Sequence, residues 1–116
     1  MSAAYVIVTV ATIGANVWAA AVDLAQPGWL LANMSEVGVP RSWLPSLAVL
    51  KGAGAAGLVL GLLGVRPLGI AAVIGLVLFF TGALASHVHA RAFANMAFPG
   101  AYLALAAASA ALAIAH

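Results

Sequence analysis

The sequence predicts an all-α polytopic integral membrane protein, an antiparallel bundle of four transmembrane helices forming one membrane domain over residues 1–116. Hydrophobic residues make up 66% of the chain and charged residues 5%, which leaves too little polar surface to cover a soluble domain. Four apolar runs are each long enough to cross about 30 Å of hydrocarbon, which takes about 20 helical residues. Two of these runs are separated only by residues 64–67, a break so short that they must form an antiparallel hairpin.

Composition also excludes several classes of function. The chain contains no cysteine, so disulfides, thiolate nucleophiles, Fe–S clusters and Cys-type zinc sites are ruled out. Its 4 basic residues are scattered, whereas a nucleic-acid interface needs clustered positive charge. His87 and His89 are two residues apart and point away from each other on a helix. Asp23 is the only obvious third ligand, so we predict no metal site.

The first predicted span covers about residues 3–26 and ends before Pro27, which cannot continue the helix. The N-terminus has no basic segment, and its apolar stretch, which runs to about Ala25, is longer than a signal-peptide core. We therefore expect this span to be retained as a membrane helix. Its polar residues lie within about 60° of one another on a helical wheel; they are Tyr5, Thr9, Thr12, Asn16 and Asp23. Such a stripe in a membrane helix is expected to face protein or a wet cavity.

Residues 27–44 form the only sizeable predicted loop, and we place it at the membrane interface. Trp29 and Trp43 flank it, as expected for indole rings at the headgroup level. Within the loop, Leu30, Leu31 and Met34 are expected to form one short interfacial turn.

The second and third spans are predicted over about residues 45–64 and 67–90. One face of the second span carries four glycines, a pattern that favours close helix–helix contact; they are Gly54, Gly57, Gly61 and Gly64. The sequence leaves open whether this face packs inside the bundle or against a second copy. Lys51 lies about 9 Å from the start of the second span, within snorkelling reach of the interface.

The fourth span is predicted over about residues 96–115. Polar residues recur every seven positions around it and form a second stripe; they are Asn95, Tyr102, Ser109 and His116. We expect both polar stripes to face the bundle interior. Short connections after the first loop give an antiparallel up-and-down order.

Ionisable residues from three spans are predicted to meet near one face of the membrane. Asp23 ends the first span, Lys51 begins the second and His87 ends the third. Ionisable groups in apolar surroundings suit proton transfer, so these three are the candidate catalytic residues. Four polar residues are the candidate ligand-binding residues; they are Thr12, Asn16, Asn95 and Tyr102. A structural ion pair between Asp23 and Lys51, and simple hydrogen bonding between helices along the stripes, are equally open interpretations.

Several segments in a fixed order resemble the DoxX-like family of small bacterial membrane proteins. They are Gly38-Val39-Pro40, Trp43-Leu44-Pro45, the run 50–58 (LKGAGAAGL), the run 67–72 (PLGIAA), and Gly82-Ala83 followed by His87. The resemblance covers roughly residues 10–115 and implies four transmembrane helices. The sequence departs from the family after His87, where an acidic residue is common.

The resemblance also implies expectations about function. The family is named after a subunit linked to thiosulfate oxidation with quinone as the acceptor, and some relatives are associated with thiol-redox complexes. We therefore expect a small lipophilic ligand, such as a quinone, held in the bundle as part of a redox system. A soluble redox partner would supply electrons, and no cofactor is intrinsic to the chain. The expected location is the bacterial cytoplasmic membrane.

Two other functions stay open at this point. The first is a cofactor-free isomerase, cyclase or epoxide-opening hydrolase, in which Asp23, His87 and Lys51 act as acid–base groups. The second is a scaffold or oligomerising subunit that uses the glycine face of the second span as a homo-oligomer surface. Asp23 and His87 on opposite faces of the bundle would contradict the enzyme, whereas a bundle without a cavity would favour the scaffold.

Overall fold

The computed structural model describes residues 2–93 and 96–115, and the regular secondary structure in this part of the chain is helical. Five α-helices follow one another as α1 (Ala3–Ala25), α2 (Gly28–Glu36), α3 (Leu44–Leu62), α4 (Arg66–His89) and α5 (Ala97–Ala115). One turn of 3-10 helix, Arg41–Trp43, leads into α3. Four helical segments (α1, the 3-10 turn with α3, α4 and α5) are long and apolar enough to cross a membrane, which confirms the predicted four spans.

The four long helices form an antiparallel bundle in which each packs against two neighbours. Helix α1 contacts α3, α3 contacts α4, α4 contacts α5, and α5 closes the ring against α1. The bundle core is formed by Leu58, Val73, Leu76, Phe80 and Ala106. The most exposed large hydrophobic side chains of the long helices are aliphatic, including Ile7, Leu24, Val49 and Leu78. A surface of this kind faces lipid rather than water.

Local sequence sets where α1 begins and ends. The Ser2 hydroxyl accepts a hydrogen bond from the Tyr5 amide and caps the first turn, satisfying one of the free N–H groups of a helix start. At the other end Gln26 adopts a left-handed conformation, with φ of 51°, and its amide bonds back to the Val22 carbonyl. Pro27 follows at once and prevents continuation.

The segment predicted as an interfacial loop contains more helix than expected. Where one short turn was predicted around Leu30, Leu31 and Met34, the structure has the nine-residue helix α2. Pro27 precedes its first turn, and the residues that follow include good helix formers. None of its residues is buried. The side chain of Arg41 donates to Gln26 Oε1 over 2.7 Å and ties the two ends of the segment together.

The glycine face of α3 packs inside the bundle. Gly61 and Gly69 are so close that a Cβ built on either would lie 2.7 Å from the other's Cα. A Cβ on Gly57 would lie 2.5 Å from that of Ala72. Glycine is therefore required where α3 crosses α4. Three of the four glycines on the predicted face, Gly54, Gly57 and Gly61, thus face α4 of the same chain. Gly64 lies exposed in the turn after α3.

The polar stripes of α1 and α5 face the interior, as predicted. Thr9, Thr12, Asn16 and Asp23 are at most 3% exposed. The hydroxyls of Thr12 and Ser109 share a hydrogen bond of 2.7 Å that joins α1 to α5. Asn95 and His116, which were assigned to the second stripe, lie outside the described residues.

Candidate functional site

A cavity of about 290 Å³ lies at the end of the bundle where α1 and α4 end and α3 and α5 begin. Helix α2 and residues after it lie over this end, and Leu30, Asn33 and Met34 of α2 line the cavity. Most lining atoms are apolar, while a few polar side chains reach the wall from different helices. Small-molecule sites in proteins have this character.

Asp23 and Lys51 form an ion pair on the cavity wall. Lys51 Nζ donates to Asp23 Oδ2 over 2.7 Å, with side-chain exposures of 13% and 4%. Because removing both charges from water is costly, such a pair needs good geometry and further polar partners to be maintained. An ammonium has three N–H donors, and within the described residues one of them is used by Asp23. The other two make no hydrogen bond to a described residue.

Phe79 provides the second contact of the ammonium. Lys51 Nζ lies 5.6 Å from the centre of the Phe79 ring, a distance at which a cation is attracted to the face of an aromatic ring. Phe79 also lines the cavity. The positive charge is thus held between a carboxylate and an aromatic ring at the edge of an apolar space.

His87 lines the same cavity from α4. Its Nδ1 lies 2.8 Å from the Ala83 carbonyl oxygen, one turn earlier in the helix. Since a carbonyl only accepts, Nδ1 is the donor in this contact, and Nε2 is the ring nitrogen left for a further hydrogen bond. His89, two residues later, is exposed and does not line the cavity. The two histidines thus differ in position as the helical spacing predicts.

Aromatic rings form much of the cavity wall. Phe98 stacks on Trp18 with ring centres 5.8 Å apart and on Tyr102 with centres 5.5 Å apart. Trp29 lies 6.4 Å from Phe98, and Phe80 lies 5.2 Å from Tyr102. Stacked and tilted pairs of this kind stabilise one another by about 0.5–1.5 kcal/mol beyond their buried area. The result is a preformed aromatic surface.

All three tryptophans of the chain line this cavity; they are Trp18, Trp29 and Trp43. From the sequence we expected Trp29 and Trp43 to be interface anchors, and both are about half exposed. They therefore lie at the mouth and contribute to the wall together. The participation of Trp18, Phe79, Phe80 and Phe98 was missed, because apolar rings in a membrane helix carry no periodic signal that separates cavity wall from lipid contact.

Tyr102 is the candidate ligand-binding residue that the structure brings to the cavity. Its ring is part of the wall, and its hydroxyl donates to the Ala15 carbonyl over 2.8 Å. The hydroxyl thereby links α5 to α1 and fixes the ring. The oxygen of this hydroxyl can still accept a hydrogen bond.

Thr12 and Asn16 are not brought to the cavity. Thr12 donates to the Val8 carbonyl or shares its proton with Ser109, and Asn16 Nδ2 donates to the Thr12 carbonyl over 2.9 Å. Both residues are fully buried in the bundle interior. Within the described residues, Asn16 Oδ1 and Thr9 Oγ1 have no hydrogen-bond partner. Asn95, the fourth predicted ligand-binding residue, lies outside the described residues.

Metal ligation was also assessed over the described part of the chain. In residues 2–93 and 96–115 no group of three His, Cys, Asp or Glu side chains is close enough to hold a metal ion. Asp23 and His87 share the cavity wall, and the cationic partner of Asp23 is the ammonium of Lys51.

Comparison with known proteins gives one match. The model of the DoxX-like family matches residues 7–109, which include every residue that lines the cavity. No curated protein and no solved structure matches the chain significantly.

Proposed function

The chain is a small integral membrane protein that belongs to the DoxX-like family, and we propose that its cavity holds a small lipophilic molecule with a polar, carbonyl-type head. A quinone is the leading candidate, with the protein acting as a membrane subunit of a redox system. The observation that carries the proposal is one cavity with aromatic walls on which Lys51, Asp23 and His87 converge.

The polar groups on the wall match the oxygen atoms of such a ligand. The two N–H donors of Lys51 not used by Asp23 are suited to a carbonyl oxygen. Nε2 of His87 accepts from a hydroxyl when the ring is neutral and donates to a carbonyl when the ring is protonated. The two residues can therefore bind the oxidised and the reduced form of one oxygen function.

The aromatic walls match a planar ring. The rings of Trp18, Phe98 and Tyr102 form a stack. The flat ring of a ligand would add one more member to this stack. A bound quinone supplies two-electron, two-proton chemistry. The chain has no cysteine for a dithiol or Fe–S centre, so electrons come from a soluble partner.

Tryptophan fluorescence tests this proposal directly, because all three tryptophans line the cavity. Titration of the purified protein in mild detergent with a short-tailed benzoquinone is expected to quench the emission to a saturable limit. His87→Ala is expected to weaken binding roughly tenfold, as for loss of one good hydrogen bond. His89→Ala is the matched control and is expected to leave binding unchanged, since His89 is exposed and off the cavity wall.

A linear, non-saturating quench that is equal in the parent protein and His87→Ala would contradict the proposal. Native mass spectrometry with organic extraction of copurified molecules gives an independent answer. A stoichiometric quinone, terpenoid or lipid supports a ligand site and identifies its class. A sharp peak without any bound molecule, together with absent quenching, favours a structural subunit.

A second candidate function is a cofactor-free isomerase or hydrolase. The observation that favours it is that Asp23 and His87 line the same cavity rather than opposite faces of the bundle. Asp23 would abstract a proton next to a ligand carbonyl, while Lys51 stabilises the oxyanion. Incubation with a lipophilic ketone in D₂O is then expected to give deuterium incorporation that Asp23→Asn abolishes. No incorporation above the protein-free rate would contradict this function.

A further inference from the structure

Lys51 is the only lysine in the chain, and the other three basic residues are arginines. It is also the basic residue that lies on the cavity wall. An arginine serves a purely structural pair with a carboxylate at least as well, because its planar guanidinium binds carboxylates with two parallel hydrogen bonds. A lysine differs in being able to lose its proton and act as a nucleophile. Lys51 thus places on the cavity wall a group that can act as a nucleophile once it has lost a proton.

We propose that Lys51 captures a lipophilic aldehyde or ketone as an imine, with Asp23 as the counter-ion of the protonated imine. The inference rests on the proposed function to the extent that the cavity must admit a lipophilic molecule. It adds a covalent bond and a substrate class, carbonyl compounds with a reactive carbon.

Each step has a group in place. Asp23 Oδ2 lies 2.7 Å from Lys51 Nζ and accepts one proton, leaving a neutral amine. The nitrogen lone pair adds to the carbonyl carbon, the C=O π pair moves to oxygen, and a proton shifts from nitrogen to oxygen to give a carbinolamine. Asp23 returns its proton to the hydroxyl, the C–O bond breaks, and water leaves as the nitrogen lone pair forms C=N⁺. The products are the iminium, the Asp23 carboxylate and one water.

The electrostatics of the site are the same before and after this reaction. An ammonium is replaced by an iminium at the same nitrogen, opposite the same carboxylate and 5.6 Å from the Phe79 ring centre. Because the number of charges does not change, the site needs no further counter-ion in surroundings where an unpaired charge is costly. The apolar walls also limit the water that would hydrolyse the imine.

The shape of the cavity narrows the class of carbonyl compound. Its volume of about 290 Å³ and its wall of stacked rings, Trp18, Phe98 and Tyr102, favour a small planar molecule. A conjugated or aromatic aldehyde meets both conditions. We therefore choose trans-cinnamaldehyde as the probe.

Reductive trapping tests the proposal. The purified full chain in mild detergent is incubated with trans-cinnamaldehyde and sodium cyanoborohydride, and intact mass spectrometry with peptide mapping locates the adduct. One adduct per chain on Lys51 is expected, formed faster than in protein denatured with SDS. Lys51→Arg keeps the positive charge opposite Asp23 and is expected to lose this adduct completely. Asp23→Asn is expected to slow its formation by about a hundredfold, the loss of a proton-transfer group.

The structural alternative gives a different result. An adduct confined to the α-amino group, or one on Lys51 that forms no faster in the native protein than in SDS, overturns the imine proposal. Tryptophan quenching by the same aldehyde is measured in parallel. Saturable quenching without a Lys51 adduct overturns the imine and leaves the lipophilic-ligand function standing, whereas absence of both contradicts the two together. Circular dichroism of Lys51→Arg shows whether the variant keeps its helices. Leu47→Ala retains Lys51 but alters the cavity wall, and slower trapping in this variant is expected if adduct formation depends on the cavity.

Discussion

At the residue scale, the molecule depends on polar groups that satisfy one another inside an apolar bundle. Asp23 and Lys51 do so as an ion pair, and Thr12 and Ser109 as a hydroxyl pair. Removing Lys51 or Thr12 is costly, because Asp23 or Ser109 then stays buried without that hydrogen-bond partner. The residue-scale predictions follow from this asymmetry.

We expect Lys51→Met to destabilise the protein by about 3 kcal/mol or more, because it leaves the Asp23 carboxylate buried and unpaired. The double variant Asp23→Asn/Lys51→Met removes both charges and is expected to be clearly more stable than Lys51→Met alone. Unfolding of each variant by SDS titration in mixed micelles measures the difference. A double variant no more stable than Lys51→Met would show that the pair is not what stabilises this end of the bundle.

A second residue-scale prediction compares two threonines that make the same intrahelical bond. Thr12 and Thr81 each donate to the carbonyl four residues earlier, but Thr12 is buried against Ser109 and Thr81 is exposed to lipid. Thr12→Val is expected to cost about 1 kcal/mol through the lost contact between helices, whereas Thr81→Val is expected to be close to neutral. Equal effects of the two substitutions, measured by the same SDS titration, would argue against a role for the α1–α5 hydroxyl pair.

At the element scale, close backbone contact joins α3 to α4 at the end of the bundle away from the cavity. Gly61 and Gly69 make this contact, and Lys51 and His87 stand on the same two helices toward the other end. Helix α2 has a different role. It buries none of its residues, yet it covers the cavity with Leu30, Asn33 and Met34.

The element-scale prediction concerns glycines that differ in contact. Gly61→Ala is expected to destabilise by about 1–3 kcal/mol, because the new Cβ would lie 2.7 Å from the Gly69 backbone and the helices must move apart. Gly52→Ala, on the same helix, meets nothing within 4 Å and is expected to cause no loss. Thermal unfolding in detergent compares them. Tolerance of alanine at both positions would mean that α3 and α4 do not cross this closely.

At the scale of the whole molecule, the bundle measures 41 × 24 × 19 Å, long enough to cross the roughly 30 Å of bilayer hydrocarbon. The even number of spans places the start of α1 and the end of α5 on one side, together with the turn between α3 and α4. The cavity and α2 lie on the other side. The site is therefore accessible from one membrane interface.

The molecule-scale prediction is the sidedness of these parts. Because the chain has no cysteine, single substitutions report accessibility without background. Ser35→Cys, in α2, and Val65→Cys, in the turn before α4, are both at exposed positions. A membrane-impermeant maleimide applied to sealed vesicles of one orientation is expected to label one of them and not the other. Labelling of both from the same side would contradict the four-span topology.

The sequence by itself determined the features of this protein that follow from its being surrounded by lipid rather than water. Four apolar runs with few charges dictate four helices in a bilayer, since each must satisfy its own backbone hydrogen bonds there. The stripe with Thr12, Asn16 and Asp23 dictated which face of α1 is buried, because polar groups in lipid are costly. The pairing of Asp23 with Lys51 was also open to prediction, as both residues lie at the same depth.

Only the tertiary structure decided which of the polar residues share a space. Tyr102 reaches the cavity and Thr12 and Asn16 do not, because the rotation of α1 against α5 directs one part of the stripe to the helix contact and another to the cavity. The aromatic wall likewise comes from α1, α2, α4, α5 and the 3-10 turn before α3. These rings look alike in sequence whether they face lipid or a ligand. Helical periodicity identifies a face, whereas the partner of that face depends on distances between helices that local sequence does not encode.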